Sequence, residues 1–330
     1  MTGTRAELSS IYEPIAGALE SVMVLYRRQL VSNNQMIRAI GAHLSGGHGK
    51  MFRPALVLLS WGLHGRRHPE RATWLAAAVE LMHVASLVHD DIVDGSDLRR
   101  SRSTIRSEWG DEISVVVGDY LYARGFQLLV QIDDRIVMDV LSDTTRLMCE
   151  GQLLEMGGRC DLDLTERAYL EIITKKTARL IANCCELGGR LGGSSAAEMR
   201  ALAAYGLNLG MAFQIVDDCL DVSGNVRRLG KPMGSDLREG KVTLPLIHYA
   251  QRLSQRQRQR ITRILSNGHD DRGAFETLRG VIAESDAVRS SSGMALRYIE
   301  KARRAIKPVR DSAHKRSLLQ LVDYVIRRQS

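Results

Sequence analysis

The chain has 330 residues, 44% of them hydrophobic and 25% charged, an ordinary balance for a globular protein with room for a substantial core. No apolar run reaches the roughly eighteen residues a membrane span needs, and Met1 to Ser10 lacks a signal-peptide core, so no transmembrane segment and a cytoplasmic location are expected. Five cysteines, of which only Cys184 and Cys185 are close in sequence, exclude a disulfide framework and a zinc pattern.

The formal charge of +8 points to anionic partners without naming them. Of the 46 basic residues only eight are Lys, and in the first 250 positions these are Lys50, Lys175, Lys176, Lys231 and Lys241. A chain that otherwise uses Arg keeps Lys where a compact, strongly hydrated point charge is wanted.

Proline is absent between Pro69 and Pro232, and this stretch carries helical periodicity with no strand alternation. The class is all-α. Helices are expected at 11–31, 34–45, 53–65, 71–98, 111–131, 133–156, 166–190, 196–223, 242–265, 271–287, 290–307 and 311–328, with Gly, Ser, Asp or Pro in the breaks. No composition shift marks a linker, so a single domain over 1–330 is expected, a bundle of long helices around a central cavity.

The first basic motif, Gly46-Gly47-His48-Gly49-Lys50-Met51-Phe52-Arg53-Pro54, places Lys50 and Arg53 where a helix start could hold a phosphate. It is not a nucleotide P-loop, because Leu44 and Met51 stand where that motif needs Gly and Ser or Thr. His83 follows, two helical turns before Asp90 and on its face; alone it reads equally as a core histidine.

In His89-Asp90-Asp91-Ile92-Val93-Asp94, residues four apart lie one above the other, so Asp90 and Asp94 point the same way with Asp91 turned aside. Like charges at this spacing repel, and a divalent ion would neutralise them. Carboxylate oxygens suit a hard cation such as Mg²⁺. Alone, this cluster is a solvated helix terminus. A second copy, Asp217-Asp218-Cys219-Leu220-Asp221, again follows an apolar run, and facing clusters could hold two or three Mg²⁺ ions with a diphosphate between them.

Basic residues trail both clusters: Arg99 and Arg100 after the first, Lys231 and Lys241 after the second, with Lys175-Lys176-Thr177 between them. On their own these are surface pairings; beside metal-bound carboxylates they would clamp phosphate oxygens. The arginines from Arg252 to Arg263 lack aromatic residues for base stacking, so they read as a solvated face and no nucleic-acid partner is expected.

The set Gly49-Lys50-x-x-Arg53-Pro54, His83 to Asp94 with Arg99-Arg100, Lys176-Thr177, Phe213-Gln214-x-x-Asp217-Asp218-x-x-Asp221, and Gly230-Lys231-Pro232 leading to Asp236 and Lys241 resembles the trans-isoprenyl diphosphate synthases over nearly the whole chain. The resemblance implies the all-α isoprenoid-synthase fold and Mg²⁺-dependent condensation of an allylic diphosphate with isopentenyl diphosphate. It also implies a homodimer, with a heteromer as the alternative.

By resemblance, Asp90, Asp94 and Asp217 are Mg²⁺ ligands, and Asp91, Asp218 and Asp221 complete the clusters. Arg99, Lys176, Thr177, Gln214, Lys231 and Lys241 match the allylic diphosphate site, and Lys50, Arg53, His83 and Arg100 the isopentenyl diphosphate site. Departures are His48 for a usual Gly, Ser101 and Ser103 where Gly and Pro are common, and Gln152 and Glu155 in place of Glu and Gln. In the family, aromatics at the positions of Ala85 and Ser86 floor the pocket, so these small residues imply a longer tunnel and a product of six or more isoprene units. Competing readings are a short-chain farnesyl or geranylgeranyl diphosphate synthase, a class I terpene cyclase, and a noncatalytic subunit of a heteromeric synthase.

Overall fold

The computed structural model describes residues 2–47, 49–64, 68–99, 101–224, 233–266 and 272–327. In chain order its helices are α1 (Thr2–Ile11), α2 (Ala16–Gln29), α3 (Gln35–Ser45), α4 (Phe52–Trp61), α5 (Pro69–Val93), α6 (Ile105–Trp109), α7 (Asp111–Ile132), α8 (Arg135–Gly157), α9 (Glu166–Ile173), α10 (Arg179–Gly192), α11 (Ala196–Ser223), α12 (Ser235–Arg238), α13 (Leu244–Ala250), α14 (Gln255–Ser266), α15 (Arg272–Glu284), α16 (Asp286–Ala305) and α17 (Ala313–Arg327). The all-α class holds. The strands among the described residues are β1 (Leu98–Arg99) and β2 (Arg102–Ser103), a two-stranded antiparallel hairpin.

Local chemistry sets several helix starts. Asn34 Oδ1 accepts the N–H groups of Met36 and Ile37 at the head of α3, and the Thr104 and Thr165 hydroxyls accept from Ser107 and Ala168 to start α6 and α9. Pro69 opens α5, whose missing N–H lies where no intrahelical partner exists.

The chain forms two compact units, each drawn from three stretches: 1–143, 181–206 and 305–321 in the first, and 144–180, 207–304 and 322–330 in the second. In the first unit α5 is the central helix, packed by α2, α4 and α7. Leu75 to Val79, Leu81, Met82 and Ala85 are all fully buried, so the helix is apolar nearly all round and its burial, rather than an amphipathic stripe, holds it. By length and composition α5 and α7 also reach the range of a membrane span, but 61% of the apolar window of α5 is buried inside the protein, as expected of a core helix.

In the same unit α10 lies against α4 at Gly188, where an added Cβ would sit 2.4 Å from the Val57 carbonyl oxygen. That oxygen belongs to a helical backbone and cannot turn aside. Gly188→Ala is expected to lower stability by about 1–3 kcal/mol, read as a reduced thermal midpoint.

Candidate active site

In the first unit α5 delivers the first acidic cluster. Its last turn carries Asp90 and Asp91, and Asp94 is the C-cap, its N–H bonded to the Asp90 carbonyl at 2.8 Å. Asp91 is turned away from the others, 5% exposed, and its Oδ1 accepts from Arg99 Nε at 2.7 Å. Asp90 and Asp94 are half-buried. The hairpin that carries Arg99 turns at Ser101, whose φ of +60° is the left-handed conformation that glycine adopts most cheaply.

A cavity of about 110 Å³ opens beside this cluster, lined by His83, Asp91, Arg99 and Arg102 with Glu80, Tyr26 and the loop glycines Gly47 and Gly49. Burial and the Glu80 charge raise the Tyr26 hydroxyl pKa well above its usual range. Of the residues expected at the isopentenyl diphosphate site, His83 lines this cavity; Lys50 is exposed, and Arg53 stands half-buried in the first turn of α4. Arg99, expected on the allylic side, stands in the cavity with His83. Arg100 lies outside the described residues.

Ala85 is fully buried, whereas Ser86 is half-buried and its hydroxyl donates to the His83 carbonyl at 2.8 Å.

In the second unit the C-terminal part of α11 delivers the other cluster, and its three aspartates differ. Asp218 is 3% exposed and both oxygens are engaged: Oδ2 accepts from the Tyr169 hydroxyl at 2.5 Å and Oδ1 from Gln214 Nε2 at 2.8 Å. Burial, reinforced by the charge of Asp236, pushes its carboxyl pKa well above the usual carboxylate range. Asp221 caps α12, accepting from the Ser235 hydroxyl at 2.9 Å and from the backbone N–H groups of Ser235 and Asp236 at 3.2 Å each. Asp217 is half-buried.

The hydrogen bonds run on from Asp218. The Thr177 hydroxyl donates to Gln214 Oε1 at 2.9 Å, so the amide is fixed with its nitrogen toward Asp218 and one N–H left for another acceptor. Lys176 and Thr177 sit in a single π-helical turn, Thr174–Ala178, which joins α9 to α10; such turns occur often at functional sites. Lys176 Nζ contacts Glu155 Oε2 at 2.6 Å, while its neighbour Lys175 makes a surface pairing with Glu171 and Glu150 that raises its pKa. Lys241, 8% exposed, follows Gly240 and contacts Glu239 at 2.6 Å and Glu155 at 4.0 Å. Lys231 lies outside the described residues.

Tyr169 carried no signal in the sequence: nothing there shows that its hydroxyl reaches Asp218, and the π-helical turn at Thr174–Ala178 breaks the α-helical register between it and Lys176. Arg102 was not singled out from the sequence either, and Glu155 stood there only as a departure.

Among the described residues, no three His, Cys, Asp or Glu side chains converge closely enough to form a closed metal cage. The donors are carboxylates at helix ends, and the expected set of one or two per ion is what Mg²⁺ takes when water and phosphate oxygens fill its remaining positions. The donor chemistry fits that ion.

One buried and one half-buried lysine, a fixed amide and two acidic clusters thus stand on an all-α frame. Residues 34–282 match the polyprenyl synthetase family. The octaprenyl diphosphate synthase of Escherichia coli is 33% identical, with 97% of this chain and 99% of that one covered, and a short chain isoprenyl diphosphate synthase of Methanothermobacter thermautotrophicus is 36% identical over 91% and 92%. The solved structure of a polyprenyl synthase from Caulobacter crescentus, complexed with calcium and isoprenyl diphosphate, superposes with a TM-score of 0.93 at 35% identity and 98% coverage of each chain. The chain belongs to the polyprenyl synthetase family. Both the isoprenoid-synthase fold and the prenyltransferase class expected from the sequence hold.

Proposed function

We propose that this chain condenses an allylic diphosphate with isopentenyl diphosphate in successive head-to-tail additions, releasing an all-trans polyprenyl diphosphate of six or more isoprene units. The observation that carries the reading is the second unit's pair of lysines, half-buried Lys176 and buried Lys241, both near the same Glu155 oxygen and in the same unit as Asp217 and the Thr177–Gln214 pair. The octaprenyl diphosphate synthase of Escherichia coli supports the long product. The short-chain alternative has its own support, the full burial of Ala85 and the Methanothermobacter relative.

In this reading Lys176, Lys241 and the remaining Gln214 N–H take the charge that develops on the departing diphosphate. Mg²⁺ held at Asp90 and Asp94 in the first unit, and at Asp217 in the second, would supply Lewis-acid stabilisation of diphosphate charge. Asp91, Asp218 and Asp221 keep the clusters in shape. As the allylic C–O bond breaks, the alkene of isopentenyl diphosphate attacks the resulting cation, and the released diphosphate takes the proton. His83, Arg99 and Arg102 orient the second diphosphate, with Lys50 from the loop and Arg53 from the first turn of α4 adding positive charge. Lys231 and Arg100 belong to the same sites by their place in the sequence motifs.

The 1–330 chain is read as one catalytic domain, located in the cytoplasm and paired with a second copy. Exposed apolar side chains on α7, Val116 at 67% and Val130 at 62%, support the pairing. Incubation with Mg²⁺ and both substrates, followed by chromatography of the dephosphorylated products, tests the proposal. The expected product is a ladder ending at thirty carbons or more. A cyclic hydrocarbon, or condensation only after a second protein is added, would favour the rival readings.

A further inference from the structure

Lys176 and Lys241, the two cations assigned above to a diphosphate, are already occupied. Lys176 Nζ is 2.6 Å from Glu155 Oε2, the same oxygen is 4.0 Å from Lys241 Nζ, and Glu239 Oε2 is 2.6 Å from Lys241 Nζ. The lysine side chains are 20% and 9% exposed, and those of Glu155 and Glu239 are 20% and 12% exposed. Two positive and two negative charges thus sit together, largely withdrawn from water, with no excess positive charge.

A simple high-affinity anion site would leave its cations facing the ligand. Here an incoming diphosphate must compete with a carboxylate for Lys176 and partly for Lys241. Glu155 bridges toward both lysines, whereas Glu239 contacts Lys241 from within its own turn. We propose that Glu155 is an affinity-setting residue of this site: between turnovers its carboxylate occupies the lysines, and by competing for them it weakens diphosphate binding and speeds diphosphate release. The proposal rests on the assignment of Lys176 and Lys241 to a diphosphate. It gives the carboxylate a use in an enzyme that must shed one diphosphate for every unit it adds.

The test is calorimetric titration of the full-length protein with inorganic diphosphate in the presence of Mg²⁺, wild type beside Glu155→Gln. Glutamine keeps the volume and an oxygen for Lys176 but removes the charge. Diphosphate should bind about tenfold tighter, the scale of one partly buried charge-assisted contact, and the Michaelis constant for the allylic substrate should fall with it. Inhibition of turnover by added diphosphate should strengthen in step. Glu155→Asp, which keeps the charge but draws it back from Lys176, should fall between the two and is a second reading should the glutamine variant fold poorly.

Unchanged diphosphate affinity in Glu155→Gln overturns the proposal. So does weaker affinity with a raised Mg²⁺ requirement, which would assign Glu155 to a metal ion instead. Wild-type protein that binds no diphosphate and makes no product defeats the proposed function along with it. Wild-type binding with no tightening in either variant defeats only this inference.

Discussion

Asp90→Ala and Asp217→Ala are each expected to lower turnover by about a hundredfold or more, with the helical fold retained. The magnitude follows from the charge each would help to stabilise on a departing diphosphate, where loss of one preorganised contact typically costs about 10²–10³ in rate. Stability should move the other way. Asp90 stands in the last turn of α5, where the backbone dipole is negative, and both carboxylates have a like charge at i+4, Asp94 for Asp90 and Asp221 for Asp217. Removing Asp90 should therefore leave the thermal midpoint unchanged or raise it by an amount equivalent to a few tenths of a kcal/mol. A helix end that carries charges unfavourable to itself is a sign of retention for activity rather than for folding. The other aspartates supply the contrast. Asp221→Ala removes the cap of α12 and is expected to lose about 1 kcal/mol of stability, so it should lower the midpoint where Asp217→Ala does not. Near-normal turnover in Asp90→Ala or Asp217→Ala, over a full Mg²⁺ titration, would sink the two-cluster mechanism.

Much of the helical layout was legible because long helices leave a periodic trace that the local sequence cannot hide. The helix expected over 196–223 is α11 to the residue, and 34–45 differs from α3 by one residue. The misses have local causes. Residues 2–11 form α1 although their apolar pattern is weak, and the helix expected over 242–265 divides into α13 and α14 at Gln251–Ser254, where the Ser254 hydroxyl and N–H both bond Gln257 and start a new helix. The expected 71–98 helix stops at Val93, and the next residues enter the hairpin that brings Arg99 back to Asp91. At the candidate site, residue types and order were readable, but division of labour was not. Asp217, Asp218 and Asp221 look alike in a DDxxD string; only packing shows that one meets Tyr169 and Gln214 while another caps a helix. Glu155 reads as an exchange with Gln152 until its distance to Lys176 is known.

Chain length gives the second large effect, and there the packing of α5 separates two neighbouring residues. Ala85 lies three residues after Met82 and four before His89 and so shares their face. That face meets α7: His89 Nε2 is 3.1 Å from the Val115 carbonyl, and a Cβ on Gly125 would lie 3.1 Å from Met82 Cγ and 3.4 Å from the Ala78 carbonyl. Ala85 is small because a helix packs on it. Ala85→Phe would drive a ring into this interface and is expected to lose about 1–3 kcal/mol of stability before it can act on any substrate. Ser86 is turned about 100° around the helix and is half-buried, one turn before Asp90. Ser86→Phe is therefore the substitution expected to block a growing chain, shifting the product from thirty or more carbons towards fifteen or twenty with little change in thermal midpoint. Product chromatography and a thermal melt on both variants decide the matter. A stable Ala85→Phe enzyme making shortened products would place the tunnel on the α7 side of α5, and an unshortened product from Ser86→Phe would remove Ser86 from its wall.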